Sequence, residues 1–257
     1  MLSQNKERTL ANLKSGKGRA RAGLVVVEGV RGAEEALAAG VPCRFAVTSP
    51  RLDGTPRGRA LRSALLERRV EIVDVEARVL ADLSHTETPQ GVLLVVAEPS
   101  AGLRDLGDGP VLVLDGLQDP GNLGTLVRVA AGFGLAGVVA LKGSVDPWNS
   151  KAVRASAGGV FRLPVVRSDV AEFLQWASER ELPLLSAAPG GDDVARVDAG
   201  VRWGLVVGGE GAGVGPEVLA ASRDTVAIPM PGGTESLNAA VAGSILLYAL
   251  TRKADLV

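Results

Sequence analysis

Three glycine-rich corners, each following an apolar run, hold the residues of this chain best suited to chemistry. The first, Pro120-Gly121-Asn122-Leu123-Gly124, follows VLVLD at Val111 to Asp115 and opens a helix that carries Arg128. The second, Gly208-Gly209-Glu210-Gly211-Ala212-Gly213, follows GLVV at Gly204 to Val207. The third lies within Ile228 to Leu250, where Pro229, Pro231, Gly232 and Gly233 forbid a continuous strand or helix. A loop must therefore run from the β-like TVAIP onto a helix start at Ser236-Leu237-Asn238, ahead of an almost wholly apolar helix. Strand-to-loop-to-helix corners of this kind present backbone amides and gather round one ligand pocket at the C-terminal ends of the strands. Ser236 has two readings at this stage: an ordinary helix cap, or a polar group facing a ligand.

The elements that must position these corners follow from hydrophobic patterning. In the first part of the chain LVVVE at Leu24 to Glu28, CRFAV at Cys43 to Val47, VEIVDV at Val70 to Val75 and GVLLVV at Gly91 to Val96 read as short buried strands. Helical stretches such as Val30 to Ala39 and Arg57 to Arg68 separate them, which makes a compact α/β domain. Glycine and proline interrupt the pattern over residues 98–110, and the boundary falls there, dividing the chain into domains 1–104 and 105–257. The second part repeats the alternation through VLVLD, GVVAL, RLPVV, PLLSA, GLVVG and TVAIP. Helices at Asn122 to Phe133, Val170 to Glu179 and Pro216 to Ser222 fill intervals between them. That pattern specifies a doubly wound parallel sheet.

Composition narrows the classes of function. A chain of 257 residues with 46% hydrophobic content can build a substantial core, so disorder is not expected. The single cysteine, Cys43, excludes an intramolecular disulfide, and MLSQNKERTL lacks a secretory apolar region, so a cytoplasmic protein is expected. His85 and Cys43 stand isolated, leaving no clustered metal ligands near the glycine corners. The apolar part of the last helix is interrupted by Asn238, Gly243 and Ser244, which argues for burial rather than a membrane span. Net charge is −1, but residues 1–23 hold six basic residues against one acidic, and residues 51–69 six against two. Such segments suit nucleic-acid phosphates or a solvated helix face, and an aromatic content of 3% offers few platforms for stacking bases. The glycine loop from Gly209 to Gly215 fails every register of the dinucleotide-binding G-x-G-x-x-G pattern, and no phosphate-binding G-K-[S/T] occurs.

Taken together, the three corners resemble the SpoU, or TrmH-like, branch of the SPOUT RNA methyltransferases. The resemblance rests on Asn-x-Gly-x-x-x-Arg at Asn122, Gly124 and Arg128, on Gly-Glu-Gly at Gly209 to Gly211, and on Ile-Pro-Met and Ser-Leu-Asn at Ile228 to Met230 and Ser236 to Asn238. It covers residues 108–257. A looser similarity of the first part, through the opening basic helix, LVVVEG and HTETPQGVLLV, is to the L30e-like RNA-binding domain that precedes many catalytic domains of this family. The implied fold is a SPOUT-type trefoil-knotted α/β domain with a parallel sheet, preceded by a smaller L30e-like α/β domain, although general topology rules disfavour knots.

The implied activity is transfer of a methyl group from S-adenosyl-L-methionine to a ribose 2′-hydroxyl. Ribosomal RNA is the first choice of substrate, transfer RNA the second, and a homodimer with no metal is expected. Carried onto this sequence, the family's cofactor contacts are Gly208, Gly209, Gly211, Ile228, Met230 and Leu237. Arg128 is the principal catalytic candidate. Its guanidinium stays protonated in proteins, so an electrostatic role on the target phosphate and the 2′-oxygen is expected instead of proton abstraction. Asn122, Ser236 and Asn238 are expected to orient ribose or Arg128, and Glu210 to hold a substrate hydroxyl or pair with Arg128. Lys17, Arg19, Arg21 and Arg154 are the candidate RNA contacts, while Trp148 suits burial. A non-catalytic RNA-binding or ribosome-assembly protein of the same fold is the alternative, and the intact Arg128, Ser236 and Asn238 count against it.

Overall fold

The computed structural model describes residues 2–86, 88–232 and 236–254. Glu87 within HTETPQGVLLV, and Gly233 of the third corner, lie outside the described residues. The chain divides into two compact units. Met1–Pro99 together with Trp148–Arg162 form one, and Ser100–Pro147 with Leu163–Val257 form the other. The division thus falls five residues before the boundary read from sequence, and it assigns a later segment to the first unit.

The first unit begins with two short basic helices, α1 (Gln4–Leu13) and α2 (Gly16–Ala22), each capped by a serine hydroxyl accepting a backbone amide, Ser3 and Ser15. Then follow β1 (Leu24–Glu28), α3 (Val30–Ala38), β2 (Cys43–Thr48), α4 (Pro50–Asp53), α5 (Pro56–Glu67), β3 (Ile72–Asp74), α6 (Ala77–Leu83) and β4 (Val92–Ala97). The four strands form one mixed sheet in the order β1-β4-β2-β3. β4 runs antiparallel to both neighbours and β3 parallel to β2. Alternate residues of the strands face opposite sides. On one side Val26, Phe45, Val47, Leu93 and Val95 pack with Leu10 and Leu13 of α1 and Leu80 of α6. VEIVDV was expected to be a buried strand. It is instead the short edge strand β3, with one neighbour and a half-exposed surface, because nothing pairs beyond it.

The second unit starts with β5 (Val111–Asp115), α7 (Pro120–Gly132) and β6 (Gly137–Leu141). The chain then supplies the first unit with α8 (Ser150–Ala155) before resuming at β7 (Val165–Ser168), α9 (Val170–Glu179), β8 (Leu184–Asp193), β9 (Gly204–Gly208), α10 (Pro216–Ala221), β10 (Asp224–Ala227) and α11 (Ala239–Ala254). All pairings in its six-stranded sheet are parallel, in the order β10-β8-β9-β5-β6-β7. Parallel strands covered on both faces need continuous apolar runs, as seen in VLVLD, GVVAL and GLVVG. On one face Val111, Val113, Val139, Leu141 and Val206 pack with Phe173 of α9 and Val218 of α10. On the other, α7 and α11 lie against each other. A Cβ built on Gly243 of α11 would stand 2.6 Å from Leu126 Cδ2 and 3.2 Å from Val207 Cγ2. That glycine therefore sets how closely the last helix approaches α7 and β9.

Trp148 is buried, as expected, and stacks at a tilt on Phe161 within the first unit. Among the described residues, no helix is long and apolar enough to cross a membrane.

Candidate active site

The three corners of the second unit are held by backbone and by a few side chains. Asp119 caps α7 by accepting the Asn122 amide at 2.8 Å, and Pro120 at the first turn lacks the amide that a helix start cannot use. Asp115, the last residue of β5, fixes the second corner at both ends. Its carbonyl accepts the Gly209 amide at 2.9 Å, and its carboxylate Oδ2 accepts the Gly215 amide at 2.7 Å. Between them the Gly213 amide donates to the Gly209 carbonyl, with Gly213 in the left-handed region at φ 66°. The loop is folded so tightly that a Cβ on Gly208 would lie 2.0 Å from the Gly213 carbonyl carbon, and one on Gly209 would lie 2.5 Å from the Gly116 oxygen. Two of the glycines assigned to cofactor contact are thus also required by the loop's own backbone. Gly211 is different: open space surrounds the position of its missing Cβ.

At the third corner the helix begins three residues later than Ser236. Asn238 is the cap, its Oδ1 accepting the amides of Ala240 at 2.9 Å and Val241 at 3.2 Å. Ser236 is exposed, so the capping reading of that hydroxyl gives way to Asn238. Asn238 Nδ2 in turn donates to Asn122 Oδ1 at 3.1 Å, and Asn122 Nδ2 donates to Glu210 Oε1. One chain of hydrogen bonds thereby ties together α7, the glycine loop and the start of α11. Glu210 pairs with Asn122, not with Arg128. Arg128 is exposed on α7 and makes no hydrogen bond or ion pair with the described residues.

A cavity of about 800 Å³ opens beside these corners. Gly208, Gly209, Gly211, Ile228, Met230 and Leu237 all line it, together with Glu210, Ser236 and Asn238. Arg128 and Asn122 do not line it. A further wall, Ala187 to Gly190, belongs to β8, which runs on to Asp193 beyond the expected PLLSA. The run LLSAAPGG carries the same apolar-to-glycine signal as the other corners, and it was the available clue. Apolar walls, glycine backbone and a few polar groups at one edge fit a small ligand with an extended apolar body and polar ends. S-adenosyl-L-methionine meets that description: Ile228, Met230 and Leu237 can cover its adenosine while loop amides meet its polar groups. Among the described residues no group of three or more His, Cys, Asp or Glu side chains stands close enough to hold a metal ion.

The candidate RNA contacts separate. Lys17 and Arg21 are exposed on α2. Arg19 is buried at 4% exposure and donates from Nη1 to the Leu13 carbonyl at 3.0 Å. It closes the turn between α1 and α2 and is withdrawn from the solvent-facing set. Arg154 lies 3.6 Å from the buried carboxylate of Glu28, in a second, smaller cavity within the first unit.

The family model described as the SpoU rRNA methylase family matches residues 109–248, and a model of an MRM3-like substrate-binding domain matches residues 5–94. The 23S rRNA (guanosine(2553)-2′-O)-methyltransferase RlmP of Bacillus subtilis is 33% identical over 186 residues, covering 72% of this chain and 74% of that protein. An uncharacterised tRNA/rRNA methyltransferase of Synechocystis is 31% identical over 252 residues, covering 95% and 89%. Among solved structures, the SpoU methyltransferase AviRb of Streptomyces viridochromogenes, in complex with AdoMet, superposes with a TM-score of 0.88 at 29% identity, over 98% of each chain. An AdoMet-bound rRNA methyltransferase of Sinorhizobium meliloti gives 0.86 at 25% identity, over 98% and 97%. The chain belongs to the SpoU rRNA methylase family.

Proposed function

We propose that this protein is an S-adenosyl-L-methionine-dependent methyltransferase that modifies a ribose 2′-hydroxyl in ribosomal RNA. The observation that carries the reading is that the second and third motif corners line one cavity, where all six residues assigned to the cofactor face the same space, while Asn122 of the first corner is hydrogen-bonded to Glu210 and Asn238 at its edge. The rRNA assignment draws on RlmP and on the match of the first unit to a substrate-binding domain.

When bound, the cofactor supplies an electrophilic methyl group on a sulfonium centre, so the protein's task is to hold and orient. Backbone of Gly208 and Gly209 and the side chains of Ile228, Met230 and Leu237 hold it. Arg128, exposed and without a partner among the described residues, is free to take the phosphate beside the target ribose and to stabilise negative charge growing on the 2′-oxygen. Asn122, Glu210 and Asn238 act as a rigid bracket that fixes the loop against α7 and α11 and leaves Ser236 free to meet the ribose. Lys17 and Arg21 offer phosphate contacts from the first unit.

The protein acts as a cytoplasmic homodimer in this reading. On α11 the exposed residues Val241, Ile245 and Tyr248 fall at helical spacing, and Phe133 of α7 meets Tyr248 with ring centroids 6.1 Å apart. An apolar stripe of this kind on a helix already buried along its other face suits a second copy of the chain. Light scattering that gives a monomer at micromolar concentration would refute the dimer.

The activity is tested with methyl-labelled cofactor and ribosomal or transfer RNA. Label is expected in ribosomal RNA, in alkali-resistant dinucleotides, because a 2′-O-methyl group blocks strand cleavage there. Arg128→Ala should lower turnover by about 100-fold while cofactor affinity is kept. Label on a base would overturn the 2′-O assignment, and label in transfer RNA alone would overturn the choice of substrate.

A further inference from the structure

The second cavity, of about 220 Å³, lies wholly within the first unit and is unused by the chemistry described above. Its walls are the first turn of α3 with Gly29, Arg31 and Gly32, the segment holding Thr86, Thr88 and Gln90, and Val153, Arg154 and Ala157 at and after α8. Glu28 sits at its base with a side chain only 3% exposed.

Its acceptors and donors are unequally committed. Both Glu28 oxygens are taken: Oε1 accepts the Thr86 hydroxyl at 2.5 Å, and Oε2 accepts the His85 amide at 3.3 Å. The Gln90 carbonyl oxygen is taken as well, accepting the Val30 amide at 2.9 Å and so serving as the cap that Gly29 cannot provide. What remains are donors. Gln90 keeps its two amide N–H groups. Arg154 Nη1 is buried yet has no hydrogen-bond partner among the described residues, its approach to Glu28 at 3.6 Å being too long for one. A buried donor left unsatisfied destabilises the fold, and a ligand acceptor would relieve that cost. Arg31 stands exposed at the rim, and Lys14, Arg19 and Arg154 all act electrostatically on the neighbouring His85. Among the described residues that line the cavity, Glu28 is the one acid, against Arg31 and Arg154.

A hollow whose described lining is rich in donors and holds two arginines against one acid, with apolar sides at Val153 and Ala157, calls for an acceptor-rich anion that also carries an apolar face. We propose that this pocket holds one phosphate-bearing, unstacked nucleotide of the RNA, outside the ribose that is methylated. The phosphate meets Arg31 and Arg154, and an acceptor edge of the base meets the Gln90 amide. The inference rests on RNA being the substrate. It adds a defined grip in the first unit that would select RNA presenting an unpaired nucleotide besides the target.

The test uses the full chain and an rRNA fragment that the wild type methylates. Gln90→Glu keeps the oxygen that caps α3 but replaces the amide donors with a carboxylate. It is expected to weaken RNA binding at least tenfold while S-adenosyl-L-methionine affinity and melting temperature stay as in the wild type. Arg31→Ala should weaken RNA binding and reduce the slope of log affinity against log salt by about one. Unchanged RNA affinity in both folded variants would overturn the proposal while leaving the methyltransferase reading intact. Loss of methyl transfer to RNA in the wild type would instead sink that reading. Calorimetry with adenosine 5′-monophosphate and inorganic phosphate separates the sources. Saturable binding of either, lost in Gln90→Glu with RNA affinity unaltered, would mark a site for the free small molecule and overturn the RNA assignment.

Discussion

The two cavities are built from opposite materials. The larger, in the second unit, is walled by glycine backbone and apolar side chains, and its shape depends on amides and carbonyls holding one another, with Asp115 as anchor. The smaller, in the first unit, is lined by an acid, two arginines, two threonines and a glutamine, and side-chain hydrogen bonds shape it. A backbone-built pocket is rigid and suits one small molecule of fixed form. A pocket of long polar side chains adapts to a flexible polyanion whose phosphates dominate binding.

Substitutions should separate the two designs. The largest effect is expected from Gly208→Ala, where the new Cβ would lie 2.0 Å from backbone that cannot yield. Cofactor affinity by calorimetry should fall by at least about 100-fold, or roughly 3 kcal/mol. Gly211→Ala, in open space, should change it by less than about threefold. Equal effects at both positions would erase the distinction between a backbone-dictated and a freely variable glycine. Next in size is Asp115→Ala, which removes the acceptor of the Gly215 amide. Cofactor affinity should drop about tenfold, and Asp115→Asn, which keeps an acceptor oxygen, should recover most of it. Asn238→Ala removes both the α11 cap and the bond to Asn122. About 1–2 kcal/mol and a few degrees of melting temperature should be lost, whereas Ser236→Ala should melt like the wild type.

The smallest effect belongs to the first unit and to pH. Burial holds His85 below the usual imidazole range, with the Glu28 carboxylate opposing and nearby cations assisting. The unfolded chain therefore binds a proton that the folded chain resists. Stability is full above about pH 6.5 and declines as pH falls through the window below it. Since His85 is the chain's one histidine, His85→Gln should flatten that slope in denaturant titrations between pH 6.5 and 5.5. A slope that survives the substitution would assign it to other groups.

Local signals carried the parallel sheet, the three corners and the residues that line the larger cavity into the sequence. Apolar runs such as VLVLD and glycines after strands say where chain must turn, and the cavity joins β8 to the turns after β9 and β10. What escaped depends on atoms distant in sequence. Nothing in VLVLD announces that the Asp115 carboxylate will reach an amide one hundred positions on. Arg19 looks like its basic neighbours, yet the turn at Leu13 and Lys14 draws it inward. Ser236 and Asn238 are both good caps, and only the hydrogen bonds decide for Asn238. The burial of VEIVDV was overread because an edge position is a property of the sheet, not of the strand.

The segment Trp148–Arg162 returns to the first unit after the chain has already laid down β5, α7 and β6 of the second. No single cut can therefore separate the two units intact. A fragment ending at Pro99 would lack the Val153 and Arg154 wall of the smaller cavity, and one starting at Ser100 would carry Trp148 and Phe161 away from the unit that buries them. During synthesis the first unit likewise waits for about sixty further residues, three to twelve seconds at ordinary elongation rates, before its last pieces arrive. For those seconds the nascent chain carries both units unfinished, and neither can be completed as an independent module.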